Sequence, residues 1–142
     1  MMFLLDTNVI SELRKVRSGR ANENVTKWVR TVAPQSLFLC VMVVQELEIG
    51  TILAEHRDPA QGALLRAWLE TRVLPDFAGR IFHVDLAVTR RSAALHVPNP
   101  RPVRDAIIAA TSLVHGLTVV TRNRADFEST GVRILNPWDQ PP

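Results

Sequence analysis

Four acidic residues each follow a predicted strand or lie near the start of a predicted helix: Asp6, Glu46, Asp105 and Asp126. The carboxyl ends of parallel strands meet at one edge of a sheet, so we expect these side chains to converge there. Clustered carboxylates repel one another and cannot all stay ionised without a compensating cation. An oxygen-only ligand set selects hard ions, so the expected cofactor is Mg²⁺ or Mn²⁺.

Each acid also has a structural explanation when it is considered alone. Asp6 can cap the helix that follows it. The Glu46 carboxylate can be stabilised by the helix dipole, because it is expected in the first turn of its helix. Asp105 can be an N-cap, and Asp126 can belong to a polar turn. The chemical interpretation therefore depends on the four side chains meeting at one place.

The histidines and the single cysteine offer no comparable cluster. The four histidines are scattered, and no His or Cys pair has the spacing of zinc ligands. Cys40 lies in the apolar run 37–44, so we expect a buried, inert thiol and no intrachain disulfide. That run is far shorter than the ~20 residues of a membrane helix, so we expect a soluble, cytoplasmic protein with no membrane partner.

Short apolar runs predict five strands, and helical spacing predicts six helices between them. The strands are expected at 2–5, 36–41, 81–84, 117–121 and 132–135. The helices are expected from Thr7, after an Asn24 cap, over 43–56, after the Asp58–Pro59 and Asp85 caps, and over 105–115 before Gly116. Strands that alternate with helices and are continuously apolar predict one α/β domain whose parallel sheet is buried on both faces.

Five sequence segments occur in a fixed order between residue 2 and about residue 138: FLLDTNVISEL, QELEIG, RDAIIAATSLVHG, TVVTRNRADF and ILNPW. Together they resemble the PIN-domain ribonucleases of the VapC toxin family, especially the FitB-like branch. The resemblance implies a single PIN domain over 1–142, folded as a three-layer α/β/α sandwich with a mainly parallel central sheet. It implies a type II toxin that hydrolyses RNA phosphodiesters with Mg²⁺ or Mn²⁺. It also implies a small cognate antitoxin, a homodimer, and contact with operator DNA only through the antitoxin.

Matched motif by motif, the resemblance places the catalytic, metal-binding acids at Asp6, Glu46, Asp105 and Asp126. Glu48 lies close to Glu46, but two helical steps turn it about 200° away. Many PIN domains carry an acid at the position of Asn123 in this chain. Asn123 as a neutral ligand or water holder, with Asp126 supplying charge, therefore stays open for the fourth position.

Polar and basic neighbours of the acids have expected roles of their own. Residues predicted to orient the carboxylates or a water are Thr7, Asn8, Thr121 and Asn123. Fifteen arginines against two lysines, at a net charge of +3, favour phosphate recognition, although a compositional habit of the source genome is the alternative. The arginines that flank the third and fourth acids and can grip RNA are Arg101, Arg104, Arg122 and Arg124.

Three further interpretations accompany the main one, which is a metal-dependent endoribonuclease whose metal-bound water attacks phosphorus. An aspartyl-phosphate phosphotransferase would use a strand-end Asp followed by Thr, but position 8 is Asn and the later motifs contain no lysine. An inactive PIN-like binding module is a non-enzymatic alternative, against which the four retained acids count. Trp28 and Trp68 are candidates for interface anchors, with core packing as the other explanation.

Overall fold

The computed structural model describes residues 1–139 of the chain. Its strands are β1 (Phe3–Leu5), β2 (Leu37–Cys40), β3 (Ile81–Phe82), β4 (Thr118–Val120) and β5 (Arg133–Leu135). Its helices are α1 (Thr7–Leu13), α2 (Glu23–Thr31), α3 (Val41–Arg57), α4 (Pro59–Trp68), α5 (Leu74–Asp76), α6 (Leu86–Ala94) and α7 (Val103–His115). A π-helical turn (Leu69–Val73) joins α4 to α5, and short 3₁₀ turns lie at Pro34–Ser36, Arg124–Asp126 and Glu128–Thr130. Over this part of the chain, the helices are too short or too polar to cross a bilayer.

The five strands form one parallel sheet in the order β3-β2-β1-β4-β5. Phe3 in the central strand lies opposite Leu37 on one side and Thr118 on the other. All three residues of β1 and of β4 are buried, and successive strand residues point to opposite faces, so both faces are covered. The predicted α/β/α sandwich is confirmed. Its strand order changes direction at β1 and β4, where ligands bind in such sheets.

The core is centred on β1, β2 and β4. Leu4, Leu39 and Val119 are fully buried there together with Ile108 of α7. Cys40 is also fully buried, as predicted, and its burial raises the pKa of the thiol. The core therefore occupies the strands whose carboxyl ends carry the acidic motifs.

Three helix boundaries follow the signals that were expected from the sequence. Asp58 accepts a hydrogen bond from the Gln61 N–H at 3.3 Å, and Asp85 accepts one from the Val88 N–H at 2.9 Å. Gly116 ends α7 with φ of +69°, which is the left-handed conformation that favours glycine. These caps fix the ends of α4, α6 and α7.

The predicted Asn24 cap of α2 is wrong. Asn22 is the cap, because its side-chain oxygen accepts hydrogen bonds from the N–H groups of Asn24 at 2.9 Å and Val25 at 3.2 Å. The Asn24 side chain instead donates to the Trp138 carbonyl at 2.8 Å. Both asparagines of the segment Asn22-Glu23-Asn24 are suitable cap residues. Asn22 is the one that caps α2, and the Asn24 side chain bonds to the distant C-terminal segment.

Two structural explanations for the acids are also wrong. Helix α3 begins at Val41, two residues earlier than predicted, so Glu46 lies beyond the first turn where the helix dipole acts. Helix α7 begins at Val103 with Pro102 in the cap position, so Asp105 lies inside the first turn and is not the N-cap. The position of Glu46 needs another explanation, whereas the Asp105 carboxylate is still favoured by the dipole of α7.

Trp28 and Trp68 both pack against the core and are half-buried. The Trp28 ring meets the Phe3 ring edge-on at 5.4 Å between centroids, and the Arg14 guanidinium lies 5.8 Å from the centre of the Trp68 ring. Core packing therefore accounts for part of each ring. The remaining part of each lines a separate surface groove.

Candidate active site at the carboxyl edge of the sheet

The four acids singled out in the sequence line one open cavity of about 430 Å³. Asp6 follows β1, Glu46 lies on α3 after β2, Asp105 lies on α7, and Asp126 lies in the 3₁₀ turn after β4. The rest of the lining comprises Thr7, Asn8, Pro102, Arg104 and Asn123. Within residues 1–139, no three acidic, histidine or cysteine side chains are close enough to form a ready-made metal cage. The acids thus surround a shared space without forming such a cage.

Asp6 is both a helix cap and part of this cavity. Its Oδ1 accepts a hydrogen bond from the Thr7 N–H at 2.8 Å, which caps α1. Its Oδ2 accepts one from the Thr121 hydroxyl at 2.7 Å and one from the Asn8 side-chain amide at 3.3 Å. The side chain is fixed at both oxygens and belongs to a residue only 8% exposed. The capping explanation and the chemical one therefore hold for the same carboxylate.

The acids act on one another electrostatically. Burial raises the pKa of Asp6, and the charges of Glu46 and Asp126 raise it further, whereas the hydrogen bonds from Thr121 and Thr7 lower it. Burial also raises the pKa of Asp105, as do the charges of Asp126, Asp6 and Glu46, against the opposing effect of Arg104. This mutual repulsion and the oxygen-only donor set fit a hard divalent cation, which would relieve the repulsion.

Hydrogen bonds from neighbouring polar groups tie the end of β1 to the turn after β4. The Thr121 hydroxyl accepts a bond from the Asn123 backbone N–H at 3.0 Å, and the Asn8 side-chain oxygen accepts one from the Arg122 N–H at 3.1 Å. The Thr7 hydroxyl donates to Glu46 Oε2. Thr7, Asn8 and Thr121 thus hold the acids directly, whereas Asn123 takes part through its backbone.

Glu46 and Glu48 point to different partners. Glu46 lines the cavity, where its Oε1 accepts a 2.6 Å hydrogen bond from Arg104 Nη1 and the two side chains form an ion pair. Glu48 instead forms a 2.8 Å ion pair with Arg66 of α4. Because the two glutamates are two helical positions apart, Glu46 faces the cavity and Glu48 faces the α3–α4 interface.

The four arginines proposed from the sequence have different environments. Arg101 is anchored by its Nε to the Leu95 carbonyl at 2.7 Å and by its Nη1 to the Ser129 hydroxyl at 2.9 Å. Arg104 is paired inside the cavity, as described above. Arg122 and Arg124 are exposed, and the Arg122 guanidinium lies 5.2 Å from the centre of the Trp138 ring.

A second cavity, which was not predicted from the sequence, lies beside the first. It measures about 470 Å³ and shares Asp105 and Asp126 with the acidic cavity. Its outer wall is the proline-rich segment 97–102, and its opposite wall includes Ala125 and Ser129. The corresponding signal in the sequence is the Pro-Asn-Pro-Arg-Pro stretch at 98–102, whose composition is typical of a loop and does not indicate a cavity wall.

Comparison with known proteins identifies the family. The family model described as PIN domain matches residues 3–132. The chain is 37% identical over 143 residues to VapC ribonuclease Y4jK of Sinorhizobium fredii, covering 97% of this chain and 99% of that protein. It is 36% identical over 142 residues to toxin FitB of Neisseria gonorrhoeae, covering 96% and 99%.

Solved structures agree with these sequence matches. The crystal structure of FitAcB from Neisseria gonorrhoeae superposes with a TM-score of 0.87 at 34% identity, covering 98% of this chain and 100% of that one. The structure of FitAB bound to an IR36 DNA fragment superposes with a TM-score of 0.88 at 32% identity, covering 99% and 98%. The resemblance seen in the sequence motifs is confirmed, and the chain belongs to the PIN-domain family, among its VapC and FitB-like members.

Proposed function

We propose that this chain is the toxin of a type II toxin–antitoxin pair and a cytoplasmic endoribonuclease that depends on Mg²⁺ or Mn²⁺. Residues 1–142 act as one PIN domain in this proposal. The observation that supports it most is the grouping of Asp6, Glu46, Asp105 and Asp126 around one cavity. The printed names of relatives matched over nearly their whole length, a VapC ribonuclease and the toxin FitB, support the same function.

The acids are proposed to hold the divalent ion. Asp6, Glu46 and Asp105 supply three carboxylates, and Asp126 supplies the fourth, with Asn123 as the alternative neutral ligand. An ion held by these residues would supply Lewis-acid chemistry, which lowers the pKa of a water and stabilises charge on the leaving oxygen. No side-chain nucleophile is needed in this mechanism.

The chain's own residues orient these ligands before the ion binds. The Thr7 N–H holds Asp6 Oδ1, and its hydroxyl donates to Glu46 Oε2. The Thr121 hydroxyl holds Asp6 Oδ2. Because donors outside the ligand set fix the orientation of metal-binding carboxylates, these two threonines reduce the reorganisation that binding requires.

RNA is proposed to approach over the exposed turn after β4. Arg122 and Arg124 carry charge there without being buried, as phosphate contacts require. Arg101 acts indirectly, because its bonds to Leu95 and Ser129 tie the proline-rich wall to the end of α6 and to the 3₁₀ turn Glu128–Thr130. The second cavity shares two acids with the first, so it offers space for a nucleotide next to the cleaved bond.

A small antitoxin is the proposed protein partner. The groove between α1 and the end of α4 has an apolar floor that includes Ile10, Leu13, Trp68 and Phe77. Its rim carries Arg14, Arg17 and Arg72. An amphipathic helix laid into this groove would bury its apolar face, and we expect the inhibitor to reach the acids with a basic side chain. Operator DNA is contacted only through the antitoxin, and the toxin is proposed to form a homodimer.

The decisive experiment compares two neighbouring glutamates in an RNA cleavage assay. The purified wild-type chain is expected to cut RNA in Mg²⁺ or Mn²⁺ and to stop when EDTA is added. Glu46→Gln should abolish cleavage because it removes a ligand. Glu48→Gln is the matched control and should retain cleavage, because Glu48 pairs with Arg66 away from the cavity.

Growth provides a second test of the same function. Expression of the wild-type chain in a bacterium should arrest growth, the Asp6→Asn variant should be harmless, and the adjacent antitoxin gene should restore growth. Soluble, folded wild-type protein that neither arrests growth nor cuts RNA in either metal would overturn the ribonuclease. It would favour the inactive binding module instead.

A further inference from the structure

Arg104 lies inside the proposed metal site and already occupies one of its ligands. Its Nη1 contacts Glu46 Oε1 at 2.6 Å, and the two side chains are 36% and 31% exposed. Among the ion pairs within residues 1–139, this is the one that involves an acid of the cavity. The direct contact of this positive charge is therefore with Glu46, while Asp105 feels it at longer range.

Both carboxylate oxygens of Glu46 are engaged by the chain itself. Arg104 binds Oε1, and the Thr7 hydroxyl donates to Oε2. The Thr7 contact is compatible with a cation at Oε1, because a neutral donor orients a ligand without competing for charge. The Arg104 contact is not compatible with one, because a guanidinium and a divalent ion repel each other at such a distance.

The hydrogen-bond environment of Arg104 makes the pair easy to exchange. Its Nε is buried and has no hydrogen-bond partner in the described part of the chain. A buried donor without a partner loses its hydrogen bonds to water and gains none in the folded state, which is unfavourable. The guanidinium is thus held by its contact with Glu46 and not by a wider network such as the one that fixes Arg101.

We propose that Arg104 competes with the divalent ion for Glu46 and so sets the metal concentration at which the site is loaded. This inference rests on the proposed function, because it takes Glu46 as a metal ligand. The ion pair is the metal-free state of that ligand, and it opens when the cation binds. Arg104 is thereby a positioning residue that acts through Glu46.

The test is a double-mutant cycle read by Mn²⁺ binding in isothermal titration calorimetry. Arg104→Gln should bind Mn²⁺ about two- to fivefold more tightly than the wild type, the range that a partly exposed ion pair supplies. Glu46→Gln should bind more weakly. In the Glu46→Gln background, Arg104→Gln should have little further effect, because the competition acts through that carboxylate.

Arg122→Gln is the matched control, since it removes the same charge from the neighbouring turn without breaking an ion pair to Glu46. It should change the Mn²⁺ affinity less than Arg104→Gln does. Thermal unfolding checks that each variant is folded. Arg104→Met, which keeps most of the aliphatic stem, replaces Arg104→Gln if the latter unfolds.

The possible results separate this inference from the proposed function. Equal Mn²⁺ affinity in the wild type and Arg104→Gln, or the same gain in Arg122→Gln or in the Glu46→Gln background, overturns the competition even if RNA is cut. The expected cycle without RNA cleavage supports the competition and contradicts the ribonuclease. Absence of Mn²⁺ binding in every variant overturns both.

Discussion

The hydroxyl of Thr121 donates a 2.7 Å hydrogen bond to Asp6 Oδ2, so a residue at the end of β4 stabilises the carboxylate at the end of β1. This bond lowers the pKa of Asp6, while burial raises it. The bond therefore keeps the ionised form of Asp6 available in a setting that otherwise favours the protonated form.

Thr121→Val should raise the pKa of Asp6 further and move the pH dependence of cleavage to higher pH. The lost hydrogen bond should also cost about 0.5–1.5 kcal/mol of unfolding free energy. Thr118→Val, on β4 itself, is a matched control, because the buried Thr118 hydroxyl has no hydrogen-bond partner among residues 1–139 and its removal should be neutral or stabilising. A pH–rate profile and urea unfolding measure both effects. Identical behaviour of the two variants would contradict this role for Thr121.

Asp105→Asn should abolish metal-dependent cleavage yet leave the metal-free protein as stable as the wild type or more stable. Burial and three neighbouring acids raise the pKa of Asp105 above the usual 3.8. The native state then binds more protons than the unfolded state, so stability falls as pH rises from the ordinary pKa through the raised one. Urea unfolding in EDTA from pH 4 to 7 should show a smaller fall in Asp105→Asn. A fall as steep as in the wild type would contradict the repulsion.

Arg101 and Arg124 should respond differently to replacement by Gln. Arg124 is exposed, so Arg124→Gln should weaken binding across RNA sequences and reduce the salt slope by about 0.7 for a lost phosphate contact. Arg101 is anchored to Leu95 and Ser129, so Arg101→Gln should cost about 0.5–1.5 kcal/mol of stability with a smaller change in slope. Fluorescence anisotropy at several salt concentrations distinguishes them. An unchanged salt slope in Arg124→Gln would show that Arg124 does not contact phosphate and only reflects the arginine-rich composition of the chain.

Gly62→Ala should destabilise the packing of α4 on α3. A Cβ at Gly62 would lie 2.4 Å from the Glu55 Cα, so the helices would have to separate. Such overpacking costs about 1–3 kcal/mol. Gly50→Ala is the control, because a Cβ there meets nothing within 4 Å and alanine is favoured in a helix by roughly 0.5–1 kcal/mol. Thermal unfolding should therefore move in opposite directions, and a stable Gly62→Ala would show that α4 can shift.

Much of the fold was predictable because its signals are local. Asp58, Asp85 and Gly116 mark helix ends through contacts within a few residues, and apolar runs mark the buried strands. The position of Asp6 at a strand end also follows from the sequence alone. Local chemistry could not decide between Asn22 and Asn24 as a cap, since Asn24 is engaged by Trp138.

The fine structure of the site was less predictable. The sequence predicts that Arg104 flanks the third acid and can contact RNA, but it does not indicate the ion pair with Glu46, which is 58 positions away. Such a pair depends on how α3 and α7 approach each other, and no spacing rule encodes that approach. The early start of α3 has a similar origin, because Cys40 ends a buried strand and offers no capping hydrogen bond that would mark the boundary.

The central position of β1 has a consequence for biosynthesis. Asp6 is made 115 residues before Thr121, the residue after β4 whose hydroxyl holds its carboxylate. Chains are synthesised from the N-terminus, so the nascent polypeptide carries Asp6 long before it carries Thr121 and Asp126. The acidic cavity therefore forms only after β4 and the turn that follows it have been made.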